Sequence, residues 1–366
     1  MGAAAVRLAL ADARIGYGAV ERAFAGYAHG EGCAGQRALH EVGSTGIPIV
    51  NVNNGGASGS TALFLAREAV ESGAADLVLA VGFEQMDRDA LPYRHDDRPS
   101  PLDRFAECED AMAGRLKLPP AVRLFGGAGL EHMRRYGTSI ETFAKVRAKA
   151  SRHAHGNPLA LFRKKVSAQE VLSSRVVWPG VMTKRMAASP ASGAAAVVLC
   201  SNQMARRFAL CSRVRIAAQA LVSDGAPTFD DDILHLAGFG TARRAAAAVY
   251  EASGISPTEV DVAEINDGFA QEELLAYEAL ELCAEGGAQK YVDEGGNSYG
   301  GRCVVNPSGG MLGRGNPIGA TGLAQSVELV QQLRGTAGAR QVEGARVALQ
   351  HNQGIGGACV VTLFQT

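Results

Sequence analysis

Apolar and polar positions along this chain of 366 residues repeat one unit: a short β-prone run, a glycine turn and an apolar helix. The first unit runs from Ile47 to Val52, turns at glycine, and continues in a helix carrying Ala62, Leu63, Leu65, Ala66, Ala69 and Val70 that Gly73 closes. The second begins at Val304-Val305-Asn306 and reaches Leu333. Each predicts a parallel α/β unit. Further strands are predicted from Asp76 to Val81, Ala194 to Leu199, Val260 to Ile265, Arg346 to Gln350 and Cys359 to Phe364, the last two joined by a glycine-rich turn. Periodicity alone fits a generic doubly wound sheet as well as anything more special.

Between Leu91 and Ser189 the pattern changes to many charges, the prolines Pro92, Pro99, Pro101, Pro119, Pro120 and Pro158, and a basic segment from Lys145 to Lys165. This predicts an inserted loop domain at 91–189, flanked by an N-terminal half (1–90 plus 190–205) and a C-terminal half (206–366). With 47% hydrophobic and 20% charged residues the chain is of ordinary globular composition, and a net charge of −1 without a basic run argues against nucleic acid or an anionic membrane as the main partner. Seven scattered cysteines (Cys33, Cys108, Cys200, Cys211, Cys283, Cys303, Cys359) never stand in C-x-x-C spacing, so no disulfide framework or metal site is expected and a reducing compartment fits. The start Met1 to Arg7 does not read as a secretory signal, and no apolar run is long enough for a membrane span, so a cytoplasmic location is expected. No strand-led G-x-G-x-x-G with a following acidic residue marks a dinucleotide cofactor.

Six ordered segments carry a resemblance. They are Asn51 to Phe64; Leu79 to Met86; Ile265-Asn266-Asp267-Gly268-Phe269 with Leu274 to Leu280; Tyr299-Gly300-Gly301 through Gly310; Gly315-Asn316-Pro317 through Gly322; and Ala348 to Ala358. From about Leu10 to its end the chain resembles the thiolase part of the sterol carrier protein x thiolases. The resemblance implies a thiolase fold, with two similar βαβ-type halves in a five-layer αβαβα arrangement. It also implies a coenzyme A thioester as substrate, no permanently bound cofactor, and at least a homodimer. In that family the insertion covers the active site and helps hold coenzyme A, so its basic residues either face nucleotide phosphates or form a solvated helical face. Family members open with a β-strand, and this chain begins at what corresponds to the helix after it; either the start is truncated or mis-called, or the first sheet is one strand short, with an uncovered edge as a liability.

The family takes up the acyl group on a cysteine, and here that position is Gly56, which has no side chain. Ser58 and Ser60 stand one turn away without a histidine in sequence beside them. The family's His-Asp-Cys-Phe reads Asn266-Asp267-Gly268-Phe269, so the proton-transfer cysteine is gone; Asn266 can still donate to a thioester or enolate oxygen, or simply cap a helix from Ala270 to Leu282. Gly-His-Pro reads Gly315-Asn316-Pro317, an amide in place of an imidazole. His351 is the remaining imidazole at a family site, either a general acid or base or a structural side chain of the turn. The candidate catalytic residues are therefore His351, Asn316 and Asn266. Gly56, Gly310, Gly356 and Tyr299 are candidates for contact with substrate, the glycines serving packing equally well.

What remains is an acyl-CoA pocket with amide donors and at most one base. That inventory suits retro-aldol cleavage of a β-hydroxyacyl-CoA with a sterol-like or other lipid chain. It resembles in logic the cysteine-free thiolase-like aldolases of steroid side-chain degradation, which place tyrosines where this chain has Asn316 and His351 and work with a small partner subunit that closes the acyl-CoA tunnel. A non-catalytic acyl-CoA or lipid-binding protein and an acetyl-CoA C-acyltransferase are the competing readings.

Overall fold

The computed structural model describes residues 1–86, 97–114, 116–210 and 213–366. Leu91, Pro92 and Cys211 from the sequence reading lie outside these residues. Two sheets carry the fold. The first contains β1 (Arg22–Gly26), β2 (Ile49–Val52), β3 (Leu77–Glu84) and β6 (Gly193–Cys200) in the order β2-β1-β3-β6. The second contains β7 (Arg215–Val222), β8 (Val262–Glu264), β9 (Val304–Val305), β10 (Val347–Gly354) and β11 (Ala358–Gln365) in the order β9-β8-β10-β11-β7. A separate hairpin pairs β4 (Val176–Trp178) with β5 (Met182–Thr183).

The two sheets match strand for strand: three parallel strands, then one antiparallel. β6, from the 190–205 stretch, completes the first sheet. The second sheet adds β7 antiparallel to β11, and among the described residues no strand occupies the corresponding place beyond β6. The helices Ser58–Glu71 and Thr321–Arg334 lie between the sheets and touch both; Gly2–Ala13 and Ala34–His40 cover the outside of the first, and Phe239–Ser253 the outside of the second. The result is five layers, αβαβα.

Continuous apolar runs such as Leu77–Val81 are buried on both faces, as strands between two helical layers must be. Phe24, Leu63, Leu323, Leu329 and Phe364 fill the space between the sheets. Most of the insertion is helical. Its helices Pro120–Tyr136 and Ile140–His155 pack on the Ala270–Ala279 helix, and Phe143, Val146 and Met182 share one core with Leu274, Tyr277 and Leu363.

Several expected bounds shift. β10 runs to Gly354 rather than Gln350, which puts His351 inside the strand opposite Val361. The helix expected to reach Leu282 ends at Ala279. β1 and β7 had no counterpart in the sequence reading. The basic segment 145–165 is not a uniformly solvated face: Lys149 is buried, its ammonium bonded to Glu273 and to the Val305 carbonyl.

Candidate active site

The motif residues converge where parallel strands end and the two central helices begin. β2 delivers Gly56 to the first turn before the Ser58–Glu71 helix, β8 delivers Asn266 to Phe269, and β10 delivers His351 to Gln353. The turn at Ile318–Ala320 brings the Asn316 loop against Gly55–Ala57. Glu84 holds this junction, accepting from the backbone N–H groups of Ala28, His29 and Gly319 at 2.9, 3.1 and 3.0 Å.

The nucleophile position is filled. A Cβ placed on Gly56 would stand 2.6 Å from the Gln353 carbonyl oxygen, closer than van der Waals contact permits, so the backbone of β10 has closed over the space a cysteine needs. Neither nearby serine substitutes. Ser58 Oγ donates to the Gly55 carbonyl at 2.7 Å and accepts from Asn54 N–H at 3.0 Å; Ser60 Oγ donates to Asn352 Oδ1 at 2.8 Å and accepts from Gln350 Nε2 at 2.6 Å. Both hydroxyl protons are committed within the protein, and no histidine is their partner.

Asn266 is equally committed. Its Nδ2 donates to Glu272 Oε1 (3.1 Å) and to the Gln353 carbonyl (3.2 Å), while its Oδ1 accepts from Asn352 Nδ2 (2.9 Å). No amide hydrogen is left for a substrate oxygen, so in this geometry Asn266 is a strut between the halves rather than an oxyanion donor. Nor do Asn266 and Asp267 cap the helix that follows; Asp267 instead accepts from Met311 and Leu312 N–H at 2.6 and 3.2 Å and caps the short Gly310–Arg314 helix. Gly310 is packed against it, with a Cβ position 2.1 Å from Asp267 Oδ2, so a side chain at 310 would meet that carboxylate.

His351 is buried, and its Nδ1 accepts from the Asn266 backbone N–H at 3.4 Å, which assigns the ring proton to Nε2. Nε2 has no hydrogen-bond partner. Burial pushes the imidazole down to about 4, an effect the nearby Gln353 side chain only partly offsets. At neutral pH the ring is therefore an uncharged donor through Nε2–H, and the acid–base role expected of it is not the one its surroundings favour. Asn316 keeps donor capacity too: its Oδ1 accepts from Thr321 Oγ1 at 2.8 Å, which orients the amide and leaves Nδ2 without a protein partner among the described residues.

Gly356 lies in the β10–β11 turn and lines a cavity of about 20 Å³ with Phe105, Leu124, Leu236 and Gln353, room for a single water. Tyr299 does not join the cluster. It stacks edge-on with His153 and donates to the Arg340 carbonyl at 2.7 Å. A larger cavity of about 460 Å³ lies between the Ile140–His155 helix and residues 292–298, lined by Lys145, Lys149 and Arg152. Among the described residues no His, Cys, Asp and Glu group is placed to hold a metal ion, and no helix is long and apolar enough to cross a membrane.

The sequence reading missed Glu272. It is 5% exposed and belongs to the same cluster through Asn266. A Cβ on Gly268 would stand 2.9 Å from Glu272 Oε2. Burial raises its carboxyl to about 7, against the opposing bonds from Asn266 and from the Gly268 and Phe269 backbone. The sequence signal was there: an acid four residues beyond the position that lost its cysteine, at the third position of the helix that follows.

Sequence comparison agrees with this architecture. Residues 1–169 match the thiolase N-terminal domain family and residues 232–364 the family described as thiolase C-terminal domain-like. A sterol carrier protein 2 of Oryctolagus cuniculus is 48% identical over 98% of the chain, which spans only 66% of that relative's length. A non-specific lipid-transfer protein-like 2 of Caenorhabditis elegans is 41% identical over 99% of the chain and 89% of its own length. Among solved structures, one named Ltp2-ChsH2(DUF35) aldolase superposes with a TM-score of 0.84 at 21% identity, covering 100% of this chain and 92% of its own. Fold and site thus define a thiolase-type protein. The chain belongs to the thiolase superfamily, in its sterol carrier protein x branch.

Proposed function

We propose that this protein is a carbon–carbon lyase of lipid or sterol side-chain metabolism that cleaves a β-hydroxyacyl-CoA by a retro-aldol step, without a covalent acyl-enzyme. The observation that carries the reading is the Gln353 carbonyl 2.6 Å from the place of a Gly56 Cβ. Acyl transfer needs a nucleophile there, whereas a retro-aldol step needs only donors for a developing thioester enolate and a base for the β-hydroxyl proton. His351 Nε2–H and Asn316 Nδ2 supply unused donors. The thiolase fold is compatible with such chemistry, since the neighbour noted above is by name an aldolase. We further propose a coenzyme A thioester as the substrate with no resident cofactor, a cytoplasmic homodimer, and a small acyl-CoA-binding partner subunit like the DUF35 protein in that neighbour's name.

The test is mass spectrometry of protein and products after incubation with β-hydroxyacyl-CoA and β-ketoacyl-CoA thioesters without free coenzyme A. A shorter thioester plus a ketone or aldehyde, with no mass added to the protein, is the expected result. An acylated protein would restore the acyltransferase reading. Recovery of bound coenzyme A without turnover would favour a non-catalytic acyl-CoA or lipid-binding protein, a role to which the fully engaged Asn266 is also suited.

A further inference from the structure

The family's proton-transfer cysteine is absent at Gly268, yet the space it would enter is not empty. A Cβ on Gly268 meets Glu272 Oε2 at 2.9 Å, and the next nearest atom is Met311 Cε at 3.9 Å. The other carboxyl oxygen accepts from Asn266 Nδ2, whose second hydrogen reaches the Gln353 carbonyl that closes the nucleophile position. A glutamate at the third position of a helix that reaches back to the first turn is ordinary capping, and Glu272 does make that contact with Gly268 and Phe269. Capping does not call for burial, however, and surface caps are ionised; this one is buried in the motif cluster.

We propose that the Glu272 carboxyl group is the proton-transfer group of this site, standing in for the thiol the family carries at 268. The other candidates are occupied. His351 of β10, across Asn266, has its Nδ1 lone pair taken; Asp267 caps the Gly310–Arg314 helix; Glu273, next to Glu272 on its own helix, is paired with Lys149 of the Ile140–His155 helix. Resting on the lyase reading, the step is as follows. The carboxylate takes the β-hydroxyl proton, the Cα–Cβ bond breaks as the carbonyl of the departing ketone or aldehyde forms, and the electron pair passes to the thioester enolate. The carboxylic acid then returns the proton to Cα, so the acid is regenerated as carboxylate and no co-reactant is consumed. Burial supports the assignment by raising the carboxyl to about 7, which suits a group that both takes and returns a proton near neutrality.

The test measures two reactions of the full chain: cleavage of a β-hydroxyacyl-CoA, and exchange of Cα hydrogens of propionyl-CoA in deuterium oxide. Glu272→Gln keeps the capping acceptor and the volume; it is expected to slow both by about 100-fold or more while the protein stays folded, and to remove the neutral limb of the pH profile. Glu272→Ala opens the space beside residue 268, and the double variant Glu272→Ala/Gly268→Cys is expected to regain part of the exchange. Undiminished exchange and cleavage in Glu272→Gln would overturn the assignment and leave the lyase reading standing. Exchange that depends on Glu272 without any cleavage would sink the lyase reading alone. A wild-type protein that shows neither reaction would overturn the assignment as well.

Discussion

Holding a carboxyl group at about 7 inside the fold has a cost in stability that can be measured. Between its ordinary value of 4.5 and about 7, the native Glu272 keeps a proton that the unfolded chain has released. Stability from this group is therefore full at low pH and falls as pH rises through that interval. Glu264, also raised to about 7 by burial, falls in the same window but is common to wild type and variant. Glu272→Gln is thus expected to match wild type near pH 5 and to exceed it at pH 8 by on the order of 1–3 kcal/mol, read from urea melts at the two pH values. His351 works in the opposite sense. Lowered to about 4, it loses stability as pH falls below 6.5, so the neutral limb of any activity profile does not belong to it. Restoring the family residue at Gly56 is expected to fail: Gly56→Cys forces the Cβ against the Gln353 carbonyl, costs about 1–3 kcal/mol in chemical denaturation, and yields no acylated mass with acyl-CoA.

At the scale of elements, the site depends on how closely the two central helices and the strand ends approach. The helices Ser58–Glu71 and Thr321–Arg334 meet at small residues: a Cβ on Gly322 would lie 2.0 Å from Ser60 Oγ and 2.4 Å from Asn352 Oδ1. Gly322→Ala is expected to destabilise by about 1–3 kcal/mol and to disturb the Ser60–Asn352–Asn266 chain, visible as lost amide protection at the end of β10. The apolar units at 47–73 and 304–333 were legible because their glycine turns and branched residues are local signals. β1 and β7 were not: Arg22–Gly26 and Arg215–Val222 are rich in Ala, and only the flanking sheets and helices make them strands. His351 was marked in the sequence by its family position, but its neutral state was not legible, because that follows from burial within the longer β10.

In the molecule as a whole, the insertion is built into the C-terminal half. Lys149, from the segment 145–165, is buried against Glu273 and hydrogen-bonds the Val305 carbonyl, tying the insertion to the second sheet. Removing one member of a buried pair strands the other, so Lys149→Met is expected to cost about 3 kcal/mol or more. Hydrogen exchange would show the helices Ile140–His155 and Ala270–Ala279 losing protection together; loss confined to the insertion would mean that it unfolds independently.

The amino-acid sequence by itself determined the repeated strand–turn–helix units and the family positions that lack a cysteine, and its motif residues carried the resemblance that implied the thiolase fold. Hydrophobic period, glycine turns and residue identity are local properties that a linear string carries. Only the tertiary structure decided that the vacancy at Gly56 is closed by Gln353, that the hydrogens of Asn266 are spent, that His351 is an uncharged donor, and that Glu272 stands beside the lost thiol. Donor availability and proton affinity are set by burial and by partners brought together from β2, β8, β10 and the Ala270–Ala279 helix, segments far apart along the chain.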